Sequence, residues 1–393
     1  MLPHTHPKDY YDTAVLDWEK AYLLHQTWQF VGLKQDLSVH NDFVTTQIGD
    51  VALVIQNFKG SLKAFRNVCS HRYSQLQSEA QGNRPLQCPY HGWVYNEKGI
   101  PAGIPHRKDF PCLEPEALAL ENFALETCGH LVFVRLSPNG STLQAYLGDF
   151  FPMLEEMSHA FGPCLDTYTL TAPANWKVLV ENSLEGYHVP FIHKNSIAQL
   201  GAGQVMQADS NEATAPKKQI GHAFHFAYPH SFVLDEVEEG AYSRWQKLER
   251  FFMSRPYQTK TYQQTHIFPN FNLATFYGSA FFIQTFHPVS ATETRIVHRS
   301  IQTRLDSPSS QELAMVKVAT DQMIQMGKVV LDEDVAISAK VQQGVEQIDR
   351  SGILCMEEKR VQEYQRAYRA CRDGLFLEIT GESAHCSSNL VSV

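Results

Sequence analysis

Residues 69–91 read CSHRYSQLQSEAQGNRPLQCPYH, and no other stretch restricts the chain so tightly. Cys69 and His71 form a C-x-H pair, and Cys88 and His91 form a C-x-x-H pair sixteen residues further on. Thiolate and imidazole together suit zinc or an iron–sulfur cluster. A zinc knuckle usually puts two thiolates on one loop, at C-x₂₋₄-C spacing. Here each loop offers one Cys and one His. That mixture fits two metals better than one, since two loops can each give a Cys to one iron and a His to the other. Such ligation describes a [2Fe–2S] cluster in which two His replace two Cys on one iron and raise its potential. A zinc site is the competing reading.

The surroundings suit loops on a small β domain. DFVTTQIGDVALVIQNFKGSLKAFRNVC (42–69) alternates, is rich in β-branched residues and carries GD and KG turns. The same texture returns at 92–100 and 129–137, so an antiparallel β domain is expected over 40–145. Before it, 8–31 has helical apolar spacing and is followed by Gly32. With 393 residues, two or three domains are expected. From 141 onward, the stretches 141–166, 176–189, 310–349 and 356–373 read as helical, and 219–234 and 261–304 as strands. Residues 199–216 read as a loop, and the tail GESAHCSSNLVSV as frayed. Strands followed by helices, without βαβ alternation, predict an α+β second domain over 146–393.

Several classes are excluded or disfavoured. A net charge of −9 argues against a nucleic-acid partner. No apolar run approaches 18 residues, so no membrane span is expected, and MLPHTHPKDYYDTAV lacks a secretory pattern. The six cysteines outside the motif are scattered, as expected for reduced thiols in a cytoplasmic protein. GAGQVM (201–206) is not a dinucleotide fingerprint, so NAD(P)H is expected to act only indirectly, through another protein.

A second constellation lies in NWKVLVENSLEGYHVPFIHKNS (175–196). Glu185 and His188 are i and i+3, which share a helix face. His193 would lie about 140° round from His188 on an unbroken helix, and Pro190 between them can kink the chain and bring it back. Two His and a carboxylate on one side of Fe(II) leave the other side for O₂ and substrate. The carboxylate candidates are in LDEDVAISAKVQQG: Asp332, Glu333 and Asp334. Asn182 lies one turn before Glu185. The run HAFHFAYPHSF (222–232) reads as pocket wall or core, because His222, His225 and His230 do not share a strand face.

AFRNVCSHR…CPYHGWVYNEKG resembles the Rieske domain of the Rieske non-haem iron oxygenases, in their catalytic α-subunits. WQFVG (28–32), GDVALVIQNFKGSLKAFRN (49–67), LETCGHLVFVRLSP (125–138), the NWK…EN…E.YH….H segment and the late ED…VQ.G segment resemble the same family. The resemblance implies a [2Fe–2S] cluster on Cys69, His71, Cys88 and His91, and a mononuclear Fe(II) on His188, His193 and, by position, Asp334. It implies that Glu185, where Asp is usual, bridges His188 to His91 of a neighbouring subunit, with Asn182 near the iron. It further implies a helix-grip (START-like) catalytic domain with residues 1–39 packed on it, and a homotrimer. A separate reductase or ferredoxin would supply electrons, with O₂ as co-substrate. The expected reaction is ring or carbon hydroxylation, or oxidative N-demethylation, of a small organic substrate. IFPNF (267–271) resembles a pocket strand, which makes Phe271, Phe276 and Phe282 pocket candidates. The competing function is an electron-transfer or ligand-sensing iron–sulfur protein without turnover.

Overall fold

The computed structural model describes residues 5–194, 196, 218–220, 223–227, 256–257, 262–276 and 278–373. GAGQVM, His222, His230, the side chain of His225 and the C-terminal tail lie outside the described residues.

Among the described residues the strands fall into two seven-stranded antiparallel sheets and one short ribbon. The first sheet contains β1 (Gln29–Leu33), β2 (Asp42–Ile48), β3 (Val51–Phe58), β4 (Ser61–Arg66), β5 (Gln81–Asn83), β8 (Asn122–Cys128) and β9 (Leu131–Arg135). Its order is β1-β9-β8-β4-β3-β2-β5, with the ribbon β6 (Val94–Tyr95)–β7 (Pro101–Gly103) beside it. Gly49 turns β2 into β3 at φ +55°, and a Cβ there would meet the Lys20 carbonyl oxygen at 3.2 Å. The hairpin is therefore pressed against the N-terminal helical segment, and only glycine fits.

The second sheet runs β10 (Phe161–Ala172), β16 (Glu293–Thr303), β15 (Ala280–Ser290), β14 (Phe271–Phe276), β13 (Tyr262–Ile267), β12 (Ala223–Ala227) and β11 (Lys218–Ile220). One face carries Phe271, Leu273, Phe281, Ile283 and Ile301, which share a core with Phe30 and Phe133 of the first sheet. Fully burying Phe133 or Phe281 stabilises by roughly 1.5–3 kcal/mol each. The other face lies under helix Trp176–Ser183 and the 36-residue helix Ser310–Val345. Phe286 and Ile296 meet Trp176, Leu179 and Leu331 there, and Met323 packs on Ala274, Ala280 and Phe282. The α+β expectation is met.

Two elements differ from expectation. The N-terminal helical segment ends at Gln26, and Gln29–Leu33 is a strand paired with β9. All five of its residues are buried. A strand buried on both faces shows no alternation and resembles helix core in sequence. Likewise, the helices Leu143–Leu147 and Phe150–His159 stop before β10.

The N-terminal segment is tied down by buried polar groups. Glu19, fully buried, accepts from Trp176 Nε1 (2.8 Å) and Tyr368 Oη (2.6 Å) and pairs with Lys177 Nζ. The Lys177 ammonium lies over the rings of Tyr10, Trp176 and Tyr368 at 5.6, 5.3 and 5.3 Å. One turn along, Tyr10 Oη donates to both oxygens of Glu181 at 2.9 Å, and Gln365 Nε2 donates at 3.0 Å. A buried ion pair offsets its desolvation only with such extra hydrogen bonds. The network fixes helix Trp176–Ser183 between the N-terminal segment and helix Lys359–Arg372.

Candidate metal centres

The Cys/His pairs lie on two loops of the same build. Cys69 N donates to Ser74 O (2.8 Å) and Tyr73 N to Cys69 O (3.0 Å). Cys88 N donates to Trp93 O (2.8 Å) and Gly92 N to Cys88 O (3.0 Å). The fifth residue of each loop is left-handed: Tyr73 at φ +61° and Gly92 at φ +72°. Asn67 braces the first loop, accepting from Leu76 N and Gln77 N and donating to Gln77 O.

Both cysteines are buried, at 1% and 2% exposure, while His91 is exposed. The His71 and His91 ring centroids are 4.8 Å apart, and His71 stacks on Trp93 at 4.7 Å. Burial, with His91 and Arg72 nearby, holds His71 below its ordinary pKa, which keeps the imidazole neutral. Among the described residues its Nδ1 is buried without a hydrogen-bond partner. An orphaned buried nitrogen beside two buried thiols and a second imidazole fits a cluster that takes these four side chains as ligands. Tyr95 Oη lies 3.0 Å from Cys69 Sγ and accepts from Ser70 N (3.1 Å). No sequence signal marked Tyr95.

The second centre differs locally from the reading of 185–193. Asn175 caps helix Trp176–Ser183 by accepting from Lys177 N, and the helix ends at Ser183. Glu185 is therefore not helical. It approaches His188 through a turn, accepting from His188 N (3.1 Å) and from His188 Nδ1 (2.5 Å). Pro190 kinks nothing. It lies in the first turn of the four-residue helix Val189–Ile192, where a missing N–H costs little. His188 and His193 cap the two ends of that turn, and their Nε2 atoms lie 3.2 Å apart.

Asp334, on the long helix, completes the group. Its Oδ1 is 3.4 Å from His188 Nε2 and 3.1 Å from His193 Nε2. All three ligand atoms lie within 4.8 Å of one another, and among the described residues no other His, Cys, Asp and Glu side chains form such a group. Ligands about 2.1 Å from a metal stand about 3.6 Å apart when they encircle it in a plane, and about 3.0 Å apart on one octahedral face. The observed triangle is nearer the second case, so a metal fits to one side with its far positions open.

Each donor is held by a further side chain. Asn182 Nδ2 donates to Asp334 Oδ1 (2.9 Å). Glu333 Oε2 accepts from His193 Nδ1 (2.7 Å) and from Ser196 Oγ (2.6 Å). Glu333 thus stands behind His193 rather than in the triangle. Both imidazoles have their Nδ1 engaged and present Nε2. Burial lowers His188, but the Asp334 and Glu185 carboxylates outweigh it and raise the group to about 9. Burial raises Asp334, yet the two imidazoles bring it below its usual range.

The phenylalanines divide. Phe282 lies on the face under the long helix, with Ala274 and Met323. Phe271 points the opposite way, 4.7 Å from Phe30, because it pairs with Thr285 three positions from the Ala274–Phe282 pair. It is core between the sheets and not pocket. The side chain of Phe276 lies outside the described residues. No helix among the described residues is long and apolar enough to cross a membrane.

A β domain with twin Cys/His loops, joined to an α+β domain with a His–His–Asp triangle, defines a two-centre metalloprotein. Residues 27–118 match the Rieske [2Fe-2S] domain family, and residues 165–374 match the ring hydroxylating alpha subunit (catalytic domain) family. The chain belongs to the ring-hydroxylating alpha-subunit family, whose cofactors are a Rieske [2Fe–2S] cluster and a mononuclear iron. It is 30% identical over 207 residues to a chloroplastic choline monooxygenase of Spinacia oleracea, covering 50% of this chain and 47% of that one. It is 29% identical over 199 residues to the oxygenase subunit of a glycine betaine monooxygenase of Pseudomonas aeruginosa, covering 49% and 46%. The chain thus spans about half the length of the curated relatives it matches. Its fold is shared with the quaternary ammonium Rieske monooxygenase CntA bound to L-carnitine (TM-score 0.70, 19% identity, 95% and 96% covered). It is shared too with a naphthalene 1,2-dioxygenase holding indole (TM-score 0.75, 18% identity, 96% and 95% covered).

Proposed function

We propose that the chain is the oxygenase component of a Rieske non-haem iron oxygenase, in which His188, His193 and Asp334 hold the mononuclear iron and Cys69, His71, Cys88 and His91 hold the cluster. The single supporting observation is the Nε2–Nε2–Oδ1 triangle with edges of 3.2, 3.4 and 3.1 Å. When bound, the cluster supplies single electrons and the iron supplies O₂ activation. The protein's part is orientation: Glu185 and Glu333 fix the imidazole tautomers, and Asn182 holds the Asp334 oxygen. A separate reductase or ferredoxin delivers the electrons. Glu185 faces His91 of a neighbouring subunit in a homotrimer. Residues 29–145, β1 included, form the cluster unit and 146–393 the catalytic unit, with the helical residues before Gln29 packed on the latter.

Relatives named for choline, glycine betaine and carnitine make a quaternary ammonium compound the first substrate class to test, with hydroxylation at a carbon bonded to nitrogen. Metal and sulfide analysis of the purified chain is expected to give about three irons and two sulfides. O₂ uptake with a surrogate reductase should then be coupled to loss of a quaternary ammonium substrate. Two irons without turnover would instead identify an electron carrier, and zinc without sulfide a structural scaffold.

A further inference from the structure

Two arginines four residues apart on β16 point to the same side, toward the first sheet. Arg299 Nη1 pairs with Asp36 Oδ2 at 2.5 Å. Among the described residues Arg295 has no such partner: its Nε is buried without a hydrogen bond, and no carboxylate pairs with it. In front of it lies a cavity of about 250 Å³, where the β2–β3 hairpin, the N-terminal helical segment and the second sheet meet. Its lining includes Lys20, Gln47, Asp50, Asn270, His287 and Arg295.

The charges there do not balance. Lys20 Nζ lies 2.9 Å from Asp50 Oδ1, so those two offset each other. His287, the cross-strand neighbour of Arg295, has its Nε2 2.8 Å from Thr285 Oγ1. Burial, aided by Arg295, pushes His287 down to about 3, so it adds no charge at neutral pH. Asn270 Nδ2 is spent on Phe286 O, and Gln47 Nε2 on Gly49 O. One positive charge remains, on a guanidinium that stays ionised and presents a planar fork of donors. A buried donor left unmade is costly, and a fork of this shape matches an oxyanion.

We propose that this cavity binds a small oxyanion, phosphate or a small carboxylate, through Arg295 with Lys20 in support. The anion takes the place at Arg295 that Asp36 takes at Arg299. It clamps the Gly49 hairpin of the first sheet to the second sheet, away from both metal centres.

The test uses the intact holoprotein, with 10 mM inorganic phosphate or succinate, a concentration on the order of ten times the expected dissociation constant, against chloride at matched ionic strength. The melting temperature should rise by about 2 °C or more, with half-saturation on the order of 1 mM by calorimetric titration. A response to phosphate alone or to succinate alone assigns the source. Arg295→Gln should abolish the response while the visible spectrum and turnover stay unchanged. Should that variant fail to fold, Lys20→Met should weaken binding about threefold or more, since one of the two cations is lost. The proposal is overturned if neither anion stabilises the wild type, if the response survives in Arg295→Gln, or if Lys20→Met binds as well as the wild type.

Discussion

The two candidate centres are built in opposite ways. The Cys/His centre rests on backbone: two loops with matching carbonyl and amide bonds, each starting at its cysteine, with His91 left in contact with solvent. The His–His–Asp centre rests on side chains. Its donors come from a short turn and a helix about 150 residues apart, and each is held by a carboxylate or amide behind it. The first tolerates exposure because its loops are self-supporting. The second depends on elements from both ends of the described chain, down to Glu19 and Tyr368 under helix Trp176–Ser183.

The largest expected effect separates the centres outright. Asp334→Ala should lose one iron per chain and all measurable turnover, with cluster absorption unchanged. Cys69→Ser should lose the cluster absorption and keep the mononuclear iron. If either variant loses both metals, the centres are not independent and the contrast fails. Next comes Glu185→Gln, which keeps an acceptor for His188 Nδ1 but removes the charge. Both metals should remain while turnover falls about 10- to 100-fold, and unchanged steady-state turnover would count against the bridging role.

Glu19→Gln tests the dependence on distant elements. It leaves Lys177 buried and unpaired, which costs about 3–5 kcal/mol. A lowered denaturation midpoint with weaker mononuclear iron retention, and an unaltered cluster spectrum, is the expected pattern. The smallest effect concerns His266, fully buried beside Asn272 and pushed down to about 4 by burial. Its folded pKa is depressed, so its contribution is intact above about 6.5 and is lost as pH falls through about 4. Between pH 7.5 and 5 that amounts to about 2 kcal/mol. Urea midpoints at the two pH values should differ less in His266→Gln than in the wild type.

What could be read from the sequence follows from how local each feature is. Cys69, His71, Cys88 and His91 fall within 23 residues, so their spacing points to a shared centre, whereas the i, i+5 spacing of His188 and His193 sets them apart on a helix and the family resemblance carries that pair. Asp332, Glu333 and Asp334 are consecutive on one helix and point in three directions; the family resemblance favours Asp334, and packing separates it from Glu333. The helix face drawn through Glu185 failed because the helix ends at Ser183, although the Glu185–His188 contact survives as a turn. β1 escaped because both its faces are buried. Phe271 was misplaced because both faces of β14 bear buried side chains, so apolar character does not say which way each one points. Arg295 carried no signal at all, since its unpartnered state is visible only beside Arg299 and Asp36.

The Glu19 network has a consequence for biosynthesis. Among the described residues every strand of the first sheet lies between residues 29 and 135, so those pairings can all form once residue 135 has left the ribosome. The triangle of donors must wait for Asp334, and the cradle beneath it waits further for Tyr368 to reach back to Glu19. During translation the acidic Glu19 side chain waits about 160 residues for Trp176 and Lys177 and about 350 for Tyr368. Iron insertion at the second candidate centre is thus expected late, after the C-terminal helix, whereas the candidate cluster loops are complete while the rest of the chain is still being made.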